Sequence, residues 1–197
     1  MRMIGVCGRS GSGKSTLCAV GAEMGFAVFD CDKIYREIVS QNGECLSEIA
    51  AHFGGEAVEN GVLNRKYLAN IVFSDPARLR ELNLVTHKYV LQNLFAGVEA
   101  LDGGKNVIFD APALFESGLD EYCDTVIGVI CDDDIAAGRI CTRDGISRAA
   151  ALARLNAQIP ARDIISGSDI LLYNNGTEIE FAHSAREILE AIVSGEL

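Results

Sequence analysis

The 197-residue sequence has no stretch of about 18 uncharged apolar residues, the length that spans a bilayer. The short apolar run near its start is too brief for a signal-peptide core. Seven cysteines (Cys7, Cys18, Cys31, Cys45, Cys123, Cys131, Cys141) include no C-x-x-C pair. Neither a zinc site nor a redox dithiol is therefore supported, and a reduced, soluble, cytoplasmic protein is expected. Positive charge is also scarce: 17 Lys and Arg stand against 28 Asp and Glu, a formal net charge of −11. Nucleic acid and anionic membranes both select an excess of cations, so neither is an expected partner. What remains, 49% apolar and 23% charged residues, can bury one core, and the length leaves no room for two full domains.

Five nearly continuous apolar runs read as strands: 3–7, 27–30, 106–110, 125–131 and 170–173. Such runs suit strands buried on both faces of a parallel sheet. Helical patterns lie between them, so the order predicts a three-layer α/β fold. One helix runs from Lys14 to Met24. The stretch 31–105 is helical in pattern with no convincing strand. Asn64 marks one helix start there, and Ser74 or Asp75 before Pro76 marks another. Leu79, Leu82, Val85, Tyr89, Phe95 and Val98 then recur at helical spacing. The chain thus reads as a single domain with a core of 1–31, 105–132 and 168–197, a helical insert at 32–104 and a lid at 133–167. Within the lid, helices at 135–143 and 147–158 flank Asp144-Gly145-Ile146, a turn able to move.

Gly8-Arg9-Ser10-Gly11-Ser12-Gly13-Lys14-Ser15 fits G-x-x-x-x-G-K-[S/T], after a strand and before a helix, as a phosphate-binding loop requires. The glycines keep side chains clear so that backbone N–H groups can face phosphate oxygens. Lys14 would bring a fixed positive charge to the β- and γ-phosphates, Ser15 a hydroxyl for Mg²⁺, and the helix N-terminus its dipole. No N-K-x-D tetrad for guanine is present. The length suits a small-molecule kinase, whose helical pieces need only cover the acceptor and exclude water.

Asp30-Cys31-Asp32 follows the second strand and places two carboxylates at its carboxyl end, where open α/β sheets bind ligands. Extended alternation would face Asp30 and Asp32 to one side. Asp32 is the expected base for an attacking hydroxyl, or a ligand of magnesium-bound water; its alternative is to cap a helix beginning near Lys33. Asp110 ends the third strand and reads either as an acid beside the metal or as a plain loop carboxylate. His87, the one histidine in the helical pattern of the insert, reads first as structural. From Arg139 to Arg162 there are five arginines and one acid, a local charge of +4 that leaves −15 of the −11 total for the rest of the chain. Such density in an acidic protein favours phosphate contact, with Arg139 the expected stabiliser of the transferring group.

These residues resemble the dephospho-CoA kinases over essentially the full length. The resemblance is carried by Ile4-Gly5-Val6-Cys7-Gly8 through Ser15, Asp30-Cys31-Asp32, Tyr35-Arg36-Glu37-Ile38, Leu63-Asn64-Arg65, Val72-Phe73-Ser74-Asp75 and His87-Lys88. It continues through Pro112-Ala113-Leu114-Phe115-Glu116-Ser117-Gly118-Leu119, then Arg143-Asp144-Gly145-Ile146-Ser147, Arg154, Gln158, Asp169, Asn174 and Gly176. It implies a P-loop NTPase-like fold with a five-stranded parallel sheet, a helical substrate region and a lid. It also implies phosphorylation of the ribose 3′-hydroxyl of dephospho-CoA by ATP with Mg²⁺, the last step of CoA biosynthesis. Lys14, Asp32 and Arg139 correspond to catalytic positions. Gly8, Gly11, Ser12, Gly13, Lys14, Ser15, Thr16 and Arg143 would hold ATP, with Asn174 and Gly176 near adenine and the metal on Ser15. Asp32, Arg36, Arg65, Phe73, His87, Asp110 and Leu114 would hold the acceptor. The chain departs from the family pattern at Arg9, where Gly is frequent, and at Cys7, Cys31, Asn64, Lys88 and Ala113; a lid lysine near Ile164 is missing. Two other readings use the same loop: a different nucleoside or nucleotide kinase, and a regulator that binds ATP and transfers nothing.

Overall fold

The computed structural model describes residues 1–197, which form two compact units: Met1–Phe29 with Asp102–Leu197, and Asp30–Leu101. The first unit is built on a five-stranded sheet of β1 (Met3–Gly8), β2 (Ala27–Asp30), β5 (Val107–Asp110), β6 (Thr125–Ile130) and β7 (Ile170–Tyr173), ordered β2-β5-β1-β6-β7. β1 runs parallel to both β5 and β6, with Ile4 opposite Ile108 and Thr125, and β6 runs parallel to β7. The three inner strands are buried almost throughout, as their unbroken apolar runs require. The edge strands β2 and β7 are less so: β2 mixes half-buried with exposed residues, and in β7 only Leu172 is buried, because an edge strand has a neighbour on one side only.

α1 (Lys14–Glu23) and α9 (Glu178–Ser194) close the core with Ile4, Val6, Leu17, Ile108, Ile127, Val129, Leu189 and Ile192. α1 lies so close to β5 that a Cβ on Gly21 would come within 2.3 Å of Ile108 Cδ1. α9, which the strand-and-helix reading left unassigned, opens with a capping box: Thr177 Oγ1 accepts from Glu180 N–H, and Glu180 Oε2 accepts from Thr177 N–H at 2.8 Å.

α6 (Asp133–Asp144), α7 (Arg148–Asn156) and α8 (Ala161–Gly167) follow β6. α6 and α7 pack through Ala136, Ala137 and Ile140 against Ala151 and Leu155. Between them, Gly145 takes a left-handed conformation that ends α6, and Ser147 Oγ caps α7 by accepting from Ala150 N–H. Asp144 accepts from Arg143 at 2.7 and 3.1 Å and also from Arg154. These two guanidiniums pull its carboxyl down to about 2. A depressed carboxylate stabilises the fold above its unfolded pKa and loses that contribution as pH falls through the folded value. The thermal midpoint of Asp144→Asn should therefore lie slightly below that of the wild type at pH 6, the gap closing between about pH 4 and pH 2. A gap that persists at pH 2 would show that the ion pairs are not its source.

The second unit holds α2 (Cys31–Gln41), α3 (Gly43–Phe53), β3 (Val58–Glu59), β4 (Val62–Leu63), α4 (Arg65–Val72) and α5 (Pro76–Glu99). It is not wholly helical: β3 and β4 pair antiparallel across Asn60-Gly61, both at positive φ, as a two-residue hairpin turn requires. Asn64 caps α4 by accepting from Tyr67 N–H. Asp75, rather than Ser74, caps α5, with Pro76 in its first turn. Leu82, Val85 and Tyr89 of α5 are buried with Ile38, Ile49, Phe53 and Leu68, and Val98 is buried as well, whereas Leu79 is exposed. His87 is not the only helical histidine of this unit, since His52 lies in α3 and meets Glu81 at 2.7 Å. No helix of the chain is long and apolar enough to cross a membrane.

Candidate active site

Residues 8–15 leave the end of β1, turn, and enter α1. Gly11 (φ 75) and Gly13 (φ 109) take left-handed conformations, and neither has room for a side chain. A Cβ would lie 2.7 Å from Ala136 O at Gly11 and 2.0 Å from Asn174 Nδ2 at Gly13. Lys14 Nζ reaches back to donate to Gly8 O at 2.8 Å. Lys14 and Ser15 begin α1, so their N–H groups have no intrahelical acceptor, and Ser15 is exposed. Thr16 N–H is already bonded to Gly13 O, and Ser12 is buried with its N–H on Arg9 O.

Three successive loop residues are tied to the segment after β6. Arg9 pairs with Asp133 at 2.7 Å, so its side chain is held toward α6 instead of adding charge to the loop mouth. Ser10 N–H donates to Gln158 Oε1 at 2.9 Å. Arg139 Nη1 donates to Gly11 O at 3.2 Å and to Cys131 Sγ at 3.5 Å, while its Nη2 donates to Asn174 Oδ1 at 3.1 Å and to Gly176 O at 3.4 Å. Burial pushes the Cys131 thiol up, against the pull of Arg139, so the sulfur stays neutral. All of these Arg139 acceptors are uncharged. The other arginines of the basic segment differ: Arg143 and Arg154 meet Asp144, Arg148 meets Asp134, and Arg162 meets Asp163. Of the five, only Arg139 turns an uncancelled charge to the phosphate loop, and Arg143, expected on ATP, is held by Asp144.

Asp110 ends β5 half-buried, opposite Val6 in the register with β1 and so beside the strand that feeds the loop. Leu114, expected on the acceptor, is fully buried, its methyl groups lying 3.0–3.2 Å from where a Gly5 Cβ would sit. Its side chain fills core and lines no surface.

In the second unit, the cap of α2 is Asp30, whose Oδ1 accepts from Lys33 N–H at 2.8 Å. Asp32 therefore does not cap the helix. The chain is already helical at Cys31, so the extended alternation expected for Asp30 and Asp32 does not apply. Asp32 stands exposed in the first turn, and Arg36 Nε donates to its backbone oxygen at 3.1 Å. Arg65 begins α4 and is exposed; Phe73 ends it and is 88% exposed. His87 is half-buried in α5, and its neighbour Lys88 meets Glu48 at 2.6 Å.

Comparison with known proteins bears on this arrangement. The family model for dephospho-CoA kinase matches residues 2–180. The chain belongs to the dephospho-CoA kinase family. The dephospho-CoA kinase of Geobacillus kaustophilus is 38% identical over 190 residues, covering 95% of this chain and 94% of that protein. A crystal structure of TT1252 from Thermus thermophilus superposes with a TM-score of 0.81 at 33% identity, covering 96% of each chain. Dephospho-CoA kinase from Campylobacter jejuni gives 0.71 at 26% identity, covering 99% of this chain and 98% of that one. The Phe115-to-Leu119 segment, which carried the resemblance, packs as structure. Leu119 is buried, Gly118 is left-handed, and the Phe115 ring covers Gly167, where a Cβ would lie 2.7 Å from it. Asp133, Gln158 and Cys131 are the site residues that sequence reasoning did not assign. Gln158 was already visible in the family pattern, whereas nothing in the sequence marked Cys131.

Proposed function

We propose that this chain transfers the γ-phosphoryl group of ATP to the ribose 3′-hydroxyl of dephospho-CoA, giving CoA and ADP in the final step of CoA biosynthesis. The observation that carries the reading is the glycine-built loop 8–15 with Lys14 and the uncancelled charge of Arg139 both directed onto it. As the 3′-oxygen bonds to the γ-phosphorus, the bond to the β–γ bridging oxygen breaks and the hydroxyl proton passes to Asp32. Lys14 and Arg139 oppose the negative charge spread over the transferring group. Within Gly11 to Thr16, the segment that holds the phosphates, Gly11, Gly13, Lys14 and Ser15 have N–H groups that the loop does not already use; the Asn174-Asn175-Gly176 turn lies toward adenine, and Arg36, Arg65, Phe73 and His87 engage the acceptor.

Magnesium fits the oxygens present. No group of three or more His, Cys, Asp or Glu is placed to hold a metal ion, whereas magnesium takes one or two protein oxygens and completes its shell with phosphate and water. The Ser15 hydroxyl and the Asp110 carboxylate would be the protein oxygens offered to it, and when bound it would supply positive charge against the phosphates. The seven scattered thiols and the net charge of −11 support a cytoplasmic protein without nucleic-acid or membrane partners.

ADP release measured with ATP, Mg²⁺ and a panel of acceptors tests the reading. Turnover is expected with dephospho-CoA. Turnover only with a nucleoside or nucleotide would replace the acceptor, and ATP binding without transfer to any acceptor would make the chain a regulator.

A further inference from the structure

Asn174 is one of few buried polar side chains in the chain, 5% exposed at the end of β7, where its own N–H donates to Ile130 O at 2.8 Å. Both ends of its amide are used. Nδ2 donates to Ser12 O at 2.7 Å, and Oδ1 accepts from Arg139 Nη2 at 3.1 Å. The orientation is forced by chemistry, because the reverse would set the amide oxygen against a carbonyl oxygen and NH₂ against a guanidinium. A trans peptide points its N–H away from its C=O, so holding Ser12 O from behind aims Gly13 N–H to the opposite side. The contact is close enough that Gly13 can carry no side chain. One side chain thus ties the phosphate loop to the arginine that faces it.

We propose that Asn174 is a positioning residue, holding the loop and Arg139 in one relation, and that it does not read the base. This rests on the proposed kinase reaction for its kinetic consequences but not for its structural ones. Asp at 174 would keep the shape while placing an oxygen against Ser12 O and a negative charge on Arg139. Ala would leave a buried carbonyl without its donor.

The test uses the full chain with Asn174→Ala and Asn174→Asp. Amide hydrogen exchange without nucleotide should be faster by roughly tenfold at residues 9–13 in both variants, while the β1 and β6 amides stay slow and report an intact fold. With dephospho-CoA as acceptor, kcat should fall by roughly 10²-fold, the ratio of kcat/KM for ATP over GTP staying within about twofold of wild type. In an Arg139→Ala background, Asn174→Ala should cost less than it does alone, because the share that acts through Arg139 is already lost while the hold on Ser12 O remains. Unchanged loop exchange overturns the proposal. So does a preserved kcat with a shifted ATP-to-GTP ratio, which would make Asn174 a base contact, or a cost that simply multiplies with that of Arg139→Ala. A wild-type protein inert on dephospho-CoA would overturn the kinase reading instead, and the exchange measurement would still decide the role of Asn174.

Discussion

Arg139→Ala is expected to lower kcat by about 10³-fold, roughly 4 kcal/mol of transition-state stabilisation, with a much smaller change in KM for either substrate. The magnitude follows from two features of its setting. Its acceptors are two backbone carbonyls, a thiol and an amide oxygen, so no carboxylate cancels its charge. It is also half-buried, where a charge is screened less than at an open surface. Arg139→Lys should recover little, since an ammonium cannot span the separated acceptors that the guanidinium fork reaches. Steady-state kinetics varying each substrate in turn decide the matter: a rise in KM alone would make Arg139 a ground-state clamp.

Asp32→Asn is expected to lower turnover by roughly 10²-fold or more with ATP affinity little changed, because Asn keeps the volume but cannot accept the proton. The structure makes this variant informative. The helix cap is Asp30, so the change removes no capping bond. The lost negative charge in the first turn of α2 is worth only about 0.3–1 kcal/mol at an exposed site. Turnover close to wild type would leave Asp32 as a surface carboxylate.

The parts of the fold that the sequence made plain are those where burial dictates residue type. The three inner strands had to be apolar on both faces, and their runs located all of them to within one or two residues. Two elements escaped because their signals are local. β3 and β4 are two residues each, too short for any period, and only the Asn60-Gly61 pair between Val58 and Val62 announces them. α9 was marked by Thr177 and Glu180 three residues apart, a capping pattern that an apolar-run reading passes over. The site divides in the same way. The loop was legible because only glycine tolerates its dihedrals and its crowding. The fate of the arginines was not: a charge of +4 over 139–162 counts Asp144 but not the flanking Asp134 and Asp163, and pairing with all three leaves Arg139 alone facing the loop. Arg9 shows the same limit, its charge being directed by Asp133, more than a hundred residues away in the chain.

The ties from Arg9, Ser10 and Gly11 to Asp133, Gln158 and Arg139 constrain how residues 133–158 can move. Asp133 and Arg139 lie on α6, and Gln158 lies just beyond the end of α7, so both feet of the helical pair are fastened to the same three residues of the chain. Swinging the pair away as a unit would break all three of these contacts at once. At the other end, beside Gly145, Asp144 ties α6 to Arg154 of α7, so the two helices are braced to each other at the tip and to the phosphate loop at the base.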